Sequence, residues 1–222
     1  VICTDKTGTI TENSMHLKHL YLLKTNKIYD ESEFADSDLK TLIDFAMWSS
    51  EPMPFDPMEK TLHHVYAQTQ KTDERTQFKM IHEYPLEGKP PMMTHIFENA
   101  NKKRIIAAKG APEAIINVSV LSESEKENIL NVIHDFGNKG YRVLGVALSH
   151  FEGNEFPEIQ QKLSFTFLGL VVFYDPPKQG IQTVFQQIYD AGIKVKVITG
   201  DNTATTKTIA KQAGVLNITE AI

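Results

Sequence analysis

Residues 1–10 read VICTDKTGTI, and their reading decides the fold. Val1, Ile2 and Cys3 form a short apolar run, the pattern of a strand buried on both faces of a parallel sheet. Asp5 then stands at its end, followed by a loop of small residues. A second stretch, IKVKVITGDN (193–202), repeats the design. A strand over 194–198 leads into Thr199, Gly200, Asp201 and Asn202, and a helix is predicted from TATTKTIAKQAG (203–214), with Gly214 as its stop. Ligands of open parallel sheets bind beyond the carboxyl ends of the strands, so both loops are expected to face one crevice. Small residues with free backbone N–H groups, backed by a helix N-terminus, can cradle a phosphoryl group. An aspartate in such a cradle can act as a nucleophile and form an acyl phosphate, provided a metal neutralises the crowded oxygens. Singly, each loop has a plain structural explanation: Asp5 caps a turn, and TGDN supplies a helix cap. The pairing of the two carries the signal.

Between these stretches the period of the apolar residues changes several times. MHLKHLYLLKTNKIYD (15–30) predicts strands around a turn at Thr25, Asn26 and Lys27. SDLKTLIDFAMWSS (37–50) is helical, with Leu39, Leu42, Ile43 and Ala46 on one face, and Trp48 reads as packing. FDPMEKTLHHVYAQ (55–68) opens a helix with Asp56 as N-cap, Pro57 at the first position and Glu59 placed for a capping box. QFKMIHEY (77–84), MMTHIF (92–97) and KKRIIAAK (102–109) read as strands, the last two joined by a hairpin turn at ENAN. Helices follow over 112–119 and 122–140, the second with Ile129, Leu130, Ile133 and Phe136 inward. YRVLGVALS (141–149) returns to strand.

FTFLGLVVFY (165–174), GIQTVFQQIYDAG (180–192) and IKVKVI (193–198) then make a strand, a helix with Ile181, Val184, Phe185 and Ile188 inward, and a strand. That order predicts a βαβ unit with a parallel sheet. The fold class read from this is α/β: an incomplete parallel-sheet core over 1–13 and 160–222, interrupted by an α+β insertion over 14–159 with an antiparallel sheet.

The bulk numbers narrow the function classes. The 222 residues suffice for two modest domains. The net charge of −5 gives no basic footprint for nucleic acid. No apolar run approaches the ~20 residues that cross a bilayer. The single cysteine, Cys3, excludes an internal disulfide and suits a reducing compartment. Eight histidines lack zinc-ligand spacing, and His63–His64 is the one close pair.

DKTGT (5–9) followed by ITEN (10–13) resembles the phosphorylation signature of P-type cation-transporting ATPases, members of the haloacid dehalogenase superfamily. KGAPE (109–113), DPPK (175–178) and TGDN (199–202) are similar to further signatures of that family, in its order. The resemblance covers essentially the whole chain. It implies a haloacid-dehalogenase-like phosphorylation domain for the core and a nucleotide-binding domain for the insertion. ATP and Mg2+ are the implied cofactors. By the same resemblance, Asp5 takes the γ-phosphate, Thr7 offers its backbone carbonyl to Mg2+, and Thr199 bonds the phosphoryl oxygens with Gly200 allowing close approach. Asp201 holds the nucleotide at the joint between domains and Asp175 supports that joint. Lys109 lies beside the adenine pocket, with Gly110 letting the base come near. Arg142 reaches the nucleotide phosphates, and Glu59 sits at the edge of the adenine site. Lys109 also reads as a solvated strand end, and Glu59 as the capping-box partner of Asp56.

The parent implied is an integral membrane pump, with this segment on its cytoplasmic side and actuator and transmembrane domains elsewhere in the same polypeptide. The calcium, sodium-potassium and proton branches fit KGAPE and DPPK best, with calcium the first expectation for the ion. Thr7 stands where the superfamily's phosphatases place an acid, and it cannot serve as a carboxylate base. An acyl phosphate at Asp5 is therefore expected to persist. The rival readings are a soluble phosphatase with a large cap and a nucleotide-binding module without catalysis. The Mg2+-binding carboxylates that follow TGDN in the family are absent from this sequence, so the piece alone is expected to be inactive. In EYPLEGKPPMMTH (83–95) the place of the family's stacking aromatic falls on Leu86, and that of a lysine on Pro91. Tyr84 and Lys89 are the available substitutes. Lys178 replaces a common arginine, keeping charge and losing the planar fork.

Overall fold

The computed structural model describes residues 1–70, 72–153, 155–200 and 203–216, without the side chains of 203 and 204. The chain is mixed α/β. Seven strands form one antiparallel sheet: β2 (His16–Leu22), β3 (Lys27–Asp30), β4 (Phe78–Glu87), β5 (Met92–Asn99), β6 (Arg104–Gly110), β7 (Arg142–Ser149) and β8 (Phe165–Tyr174), in the order β3-β2-β8-β7-β6-β5-β4. A separate parallel pair joins β1 (Ile2–Asp5) to β9 (Val195–Ile198).

Alternation along the strands sorts the large sheet into two apolar layers. Ile105, Ala107, Phe97, Val171 and Phe173 face helices α1 (Lys40–Trp48) and α2 (Pro57–Thr69). Ile106, Ala108, Ile96, Leu170 and Phe167 face α3 (Pro112–Val118) and α4 (Glu123–Asn138). Helix α1 and the turn that leads into it bury Leu39, Leu42, Ile43 and Ala46 as their spacing requires. Trp48 packs edge-on against Phe78 and Phe97, which makes it a core residue. Asn26 takes a left-handed conformation (φ 50°) and turns β2 into β3. Ser122 and Glu125 form a reciprocal capping box at α4.

A third cluster packs Ile10, Phe185, Ile209, Ala210 and Ala213 together with Val195 and Val197. It joins α5 (Ile181–Asp190) and α6 (Thr203–Gln212) to the parallel pair. Gly214, with φ +79°, follows α6 in the left-handed conformation of a helix stop.

Four expectations are corrected. Strand β8 was expected beside the parallel core, but it pairs antiparallel with both β2 and β7. Its run LVVF is apolar because helices cover both faces of the large sheet, and a βαβ unit produces the same composition. Strand β1 is exposed rather than buried on both faces, with Ile2 40% accessible. Among the described residues β9 is its one neighbour. On α4, Leu130 is 49% exposed while Ile129 and Phe136 are buried. On α5, Val184 is 48% exposed while Phe185 is buried. Each of these two helices covers one narrow strip, so the flanking apolar residue meets solvent.

Candidate functional site: a cleft at the edge of the sheet

Two groups of candidate residues are brought together in separate places. The first lies at the ends of the parallel pair. In register, Asp5 stands beside Ile198, so Thr199 and Gly200 leave β9 where the loop after Asp5 leaves β1. Asp5 is exposed. Residues 6–10 form a tight turn in which Gly8 holds φ +77° and the Thr11 N–H reaches the Lys6 carbonyl at 3.1 Å. Residues 176–178 brace this turn. Lys178 donates its Nζ to the Gly8 carbonyl at 2.7 Å and its N–H to the Ile10 carbonyl at 2.8 Å. Asp175 is buried and accepts from Thr11 Oγ1 at 2.6 Å and from the Ser14 N–H at 3.1 Å. It therefore ties the end of β8 to the segment after the loop. In this brace the Lys178 ammonium makes one contact, to the Gly8 carbonyl. Asp201 lies outside the described residues.

The second group lines a cleft of about 610 Å³ that includes Glu59, Lys109, Gly110, Arg142 and Gly200. Its two ends differ. Phe55, Met58, Leu86 and Met93 give apolar surface to the end that holds Lys109 and Glu59, which Glu51, Asp56 and Glu83 also line. Arg142 and Tyr141, at the start of β7, and Gly200 and Thr205, around the start of α6, make the other. Thr205 donates to the Tyr141 carbonyl at 3.2 Å, and Thr208 to that of Asn138 at 2.9 Å. These bonds fasten α6 to the turn that precedes β7.

Lys109 is not solvated. It points from β6 toward the end of α1 and the first turn of α2, with 5% of its surface exposed. Its ammonium donates to the Ser49 carbonyl at 2.6 Å, Ser50 Oγ at 3.0 Å and Glu59 Oε1 at 2.6 Å. All three of its protons are thereby used. Burial pushes its pKa down, and the Glu59 carboxylate opposes that shift. Asp56 caps α2 by accepting from the Met58 and Glu59 N–H groups. The expected capping box is nonetheless only half made: the Glu59 side chain turns away to Lys109 and accepts the Glu51 N–H at 3.4 Å.

Gly110 has a packing reason of its own. A Cβ there would lie 2.5 Å from both the Met92 Cα and the Pro91 carbonyl oxygen. Tyr84 is no substitute for the missing aromatic. It is buried in the opposite layer, and its hydroxyl donates to the Pro157 carbonyl. Phe55, 80% exposed at the apolar end, is an aromatic that the cleft does offer. Sequence reasoning missed it, along with Ser49, Ser50, Glu51, Glu83 and His95. The first signal for them is β-strand parity, which puts His95 and Lys109 on the α1/α2 face, and parity has meaning only once register is known.

Residues 24–180 match the family model described as P-type ATPase, cytoplasmic domain N. The calcium-transporting ATPase of Bacillus subtilis is 27% identical over 97% of this chain and 29% of its own length. The plasma membrane ATPase of Kluyveromyces lactis is 26% identical over 96% of the chain and 22% of its length. The sodium/potassium-transporting ATPase subunit alpha-4 of Rattus norvegicus is 28% identical over 97% of the chain and 26% of its length. The chain thus spans between about a fifth and three-tenths of these relatives. Among the described residues no helix is long and apolar enough to cross a membrane.

Proposed function

Because this chain belongs to the P-type ATPases and matches their cytoplasmic domain N, we propose that its cleft binds ATP and that Asp5 accepts the γ-phosphate in a longer cation pump. The observation that carries this reading is the two-ended cleft. Its apolar end suits a nucleobase, and Arg142 with the exposed Gly200 backbone suits phosphates. Gly200 also belongs to the loop that leaves the parallel pair beside Asp5. A nucleotide stretched along the cleft would therefore direct its phosphate tail toward that carboxylate.

In the proposed step an Asp5 carboxylate oxygen forms a bond to the γ-phosphorus while the bond to the β–γ bridging oxygen breaks, and ADP leaves with that oxygen. The Lys178 brace holds the loop so that Asp5 faces the incoming group. The described oxygen donors suit Mg2+: one exposed carboxylate, Asp5, and the Thr7 carbonyl, with phosphate and water completing the shell. Mg2+, when bound, neutralises charge on the transferred phosphoryl oxygens. Thr7 offers no carboxylate to activate water, which supports a persistent aspartyl phosphate rather than a phosphatase. We place Thr199 and Gly200 at the phosphoryl group, Asp201 and Asp175 at the joint between units, and Lys109, Gly110 and Glu59 behind the base. Lys109 acts there through its stem and through Glu59, since its ammonium is saturated. Phe55 takes the stacking role that Leu86 cannot fill.

We propose extending the insertion, read from sequence as 14–159, to Tyr174, because β8 pairs with β2 and β7 of the large sheet. The whole protein, by likeness to its relatives, transports a cation across a membrane with this segment on the cytoplasmic side. Calcium remains our first assignment for the ion. ATP titration of the chain, followed by NMR or calorimetry, tests the reading. Saturable binding weakened about tenfold by Arg142→Ala, the value of one charge-assisted bond of roughly 1.5 kcal/mol, is expected. Binding that ignores both Arg142→Ala and Phe55→Ala would remove the cleft as the site.

A further inference from the structure

On the rim of the same cleft a second cluster has chemistry that the nucleotide reading does not use. His95 projects from β5 on the face that carries Lys109, and none of its surface is exposed. Its Nδ1 lies 3.2 Å from the Ser50 carbonyl oxygen. A carbonyl only accepts, so Nδ1 carries the proton and Nε2 is left with a lone pair. That Nε2 is buried and has no hydrogen-bond partner. It faces Glu51 Oε1 at 3.9 Å and Glu83 Oε1 at 4.0 Å. Three acceptors thus converge with no donor among them.

Neighbouring groups do not resolve this. Lys109 is the nearby cation, and its three donors already serve Ser49, Ser50 and Glu59. Among the described residues no lysine or arginine forms an ion pair with Glu51 or Glu83. Burial, then the Lys109 charge, lowers the His95 pKa, while the Glu51 and Glu83 carboxylates oppose that shift. An unpartnered lone pair between two carboxylates calls for a cation.

We propose that Glu51, Glu83 and His95 form a binding site for a divalent transition-metal ion of the zinc class, with an open coordination position toward the cleft. The three ligand atoms lie within 4.8 Å of one another. Tetrahedral zinc, with bonds of about 2.0–2.2 Å, sets its ligands roughly 3.4 Å apart, so each carboxylate closes on His95 by about half an ångström and the two carboxylates close on each other by up to about 1.4 Å. They are free to do so, since Glu51 and Glu83 are 32% and 38% exposed at the cleft. His95 is held rigidly by packing and by its Nδ1–H bond to a backbone carbonyl, the outer-shell partner that metal-binding histidines use. One imidazole with two carboxylates suits zinc, manganese or cobalt, whereas Mg2+ takes oxygen ligands alone. The site is therefore separate from the Mg2+ that accompanies ATP, and it does not depend on ATP binding.

Calorimetric titration of the 222-residue chain with Zn2+, alone and against excess Mg2+, tests the proposal, with Co2+ absorption reporting the ligand field. One equivalent is expected to bind at micromolar concentration or tighter. Binding should weaken at least about tenfold in Glu83→Gln and in Glu51→Gln, and it should be unchanged in His64→Ala. The two glutamates are partly exposed, so their variants should retain the fold, and unfolding midpoints confirm that. Loss of zinc binding in His95→Asn, with the fold verified by NMR, completes the ligand set. No saturable binding at millimolar Zn2+ overturns the proposal, as does binding that survives the Glu51→Gln/Glu83→Gln double variant. Because Zn2+ is titrated without nucleotide, failure to bind ATP leaves this outcome untouched.

Discussion

The buried pair of Lys109 and Glu59 makes a prediction that separates architecture from ligand binding. Both side chains are more than nine-tenths hidden, at 6% and 8% exposure, and 2.6 Å apart. Lys109→Met leaves the Glu59 carboxylate without its cation and removes the donor to the Ser49 carbonyl and Ser50 Oγ. Breaking one partner of such a pair costs about 3–5 kcal/mol, because a charge stays buried and uncompensated. The double variant Lys109→Met/Glu59→Leu removes both charges, and a well-packed apolar replacement of this kind is close to neutral. Urea unfolding can be followed by the fluorescence of Trp48, the single tryptophan, which is buried against Phe78 and Phe97. With a slope of about 2–3 kcal/mol per molar, the single variant should lose roughly 1–2.5 M in midpoint, and the double variant should regain most of it. A single variant that loses less than about 1 kcal/mol, or a double variant as unstable as the single one, would refute the reasoning. The same numbers make Lys109→Ala a poor probe of nucleotide affinity, since lost binding would report a loosened fold.

The other expectations are more local. Phe55→Ala should reduce ATP affinity about fivefold, on the order of 1 kcal/mol of stacking, without moving the urea midpoint, because Phe55 is exposed. Gly169→Ala would set a Cβ 2.1 Å from the Tyr21 carbonyl oxygen, so the sheet must part, and a thermal scan should show a loss of about 1–3 kcal/mol or more. Asp175→Asn weakens the charge-assisted bonds from Thr11 and Ser14, and hydrogen exchange of residues 6–14 should quicken before global unfolding does. His63 accepts a bond from Arg75 at 3.1 Å, and burial, then the Arg75 charge, lowers its pKa. Between that lowered value and the unfolded value near 6.5 the unfolded chain binds more protons, so stability falls as pH falls through this window. Melting temperatures at pH 7.5 and 5.5 should therefore differ less in His63→Gln than in the parent chain.

Much of this molecule was legible from residue order. The apolar face of α1, the Asp56 and Pro57 start of α2 and the Asn26 turn each depend on neighbours within four positions. Local chemistry fixes such features before the chain folds. That Asp5 and Thr199 follow the ends of two neighbouring parallel strands was legible too, because strand-end loops keep their composition wherever the strand lies. Tertiary structure alone decided what β8 joined, since LVVF reads the same in any sheet covered on both faces. It also decided that Glu59 abandons its capping box for Lys109. An exposed capping bond contributes about 1 kcal/mol, whereas a buried ammonium left without a carboxylate costs several. The convergence of Glu51, Glu83 and His95 belongs to the same class. Glu51 lies 32 positions before Glu83, and Glu83 lies 12 before His95; only the register that sets Glu83 opposite His95 across β4 and β5, and the end of α1 lying over that sheet, bring their side chains together. Sequence sets what each residue can donate, accept or bury; which of those capacities meet is fixed by the packing of distant segments.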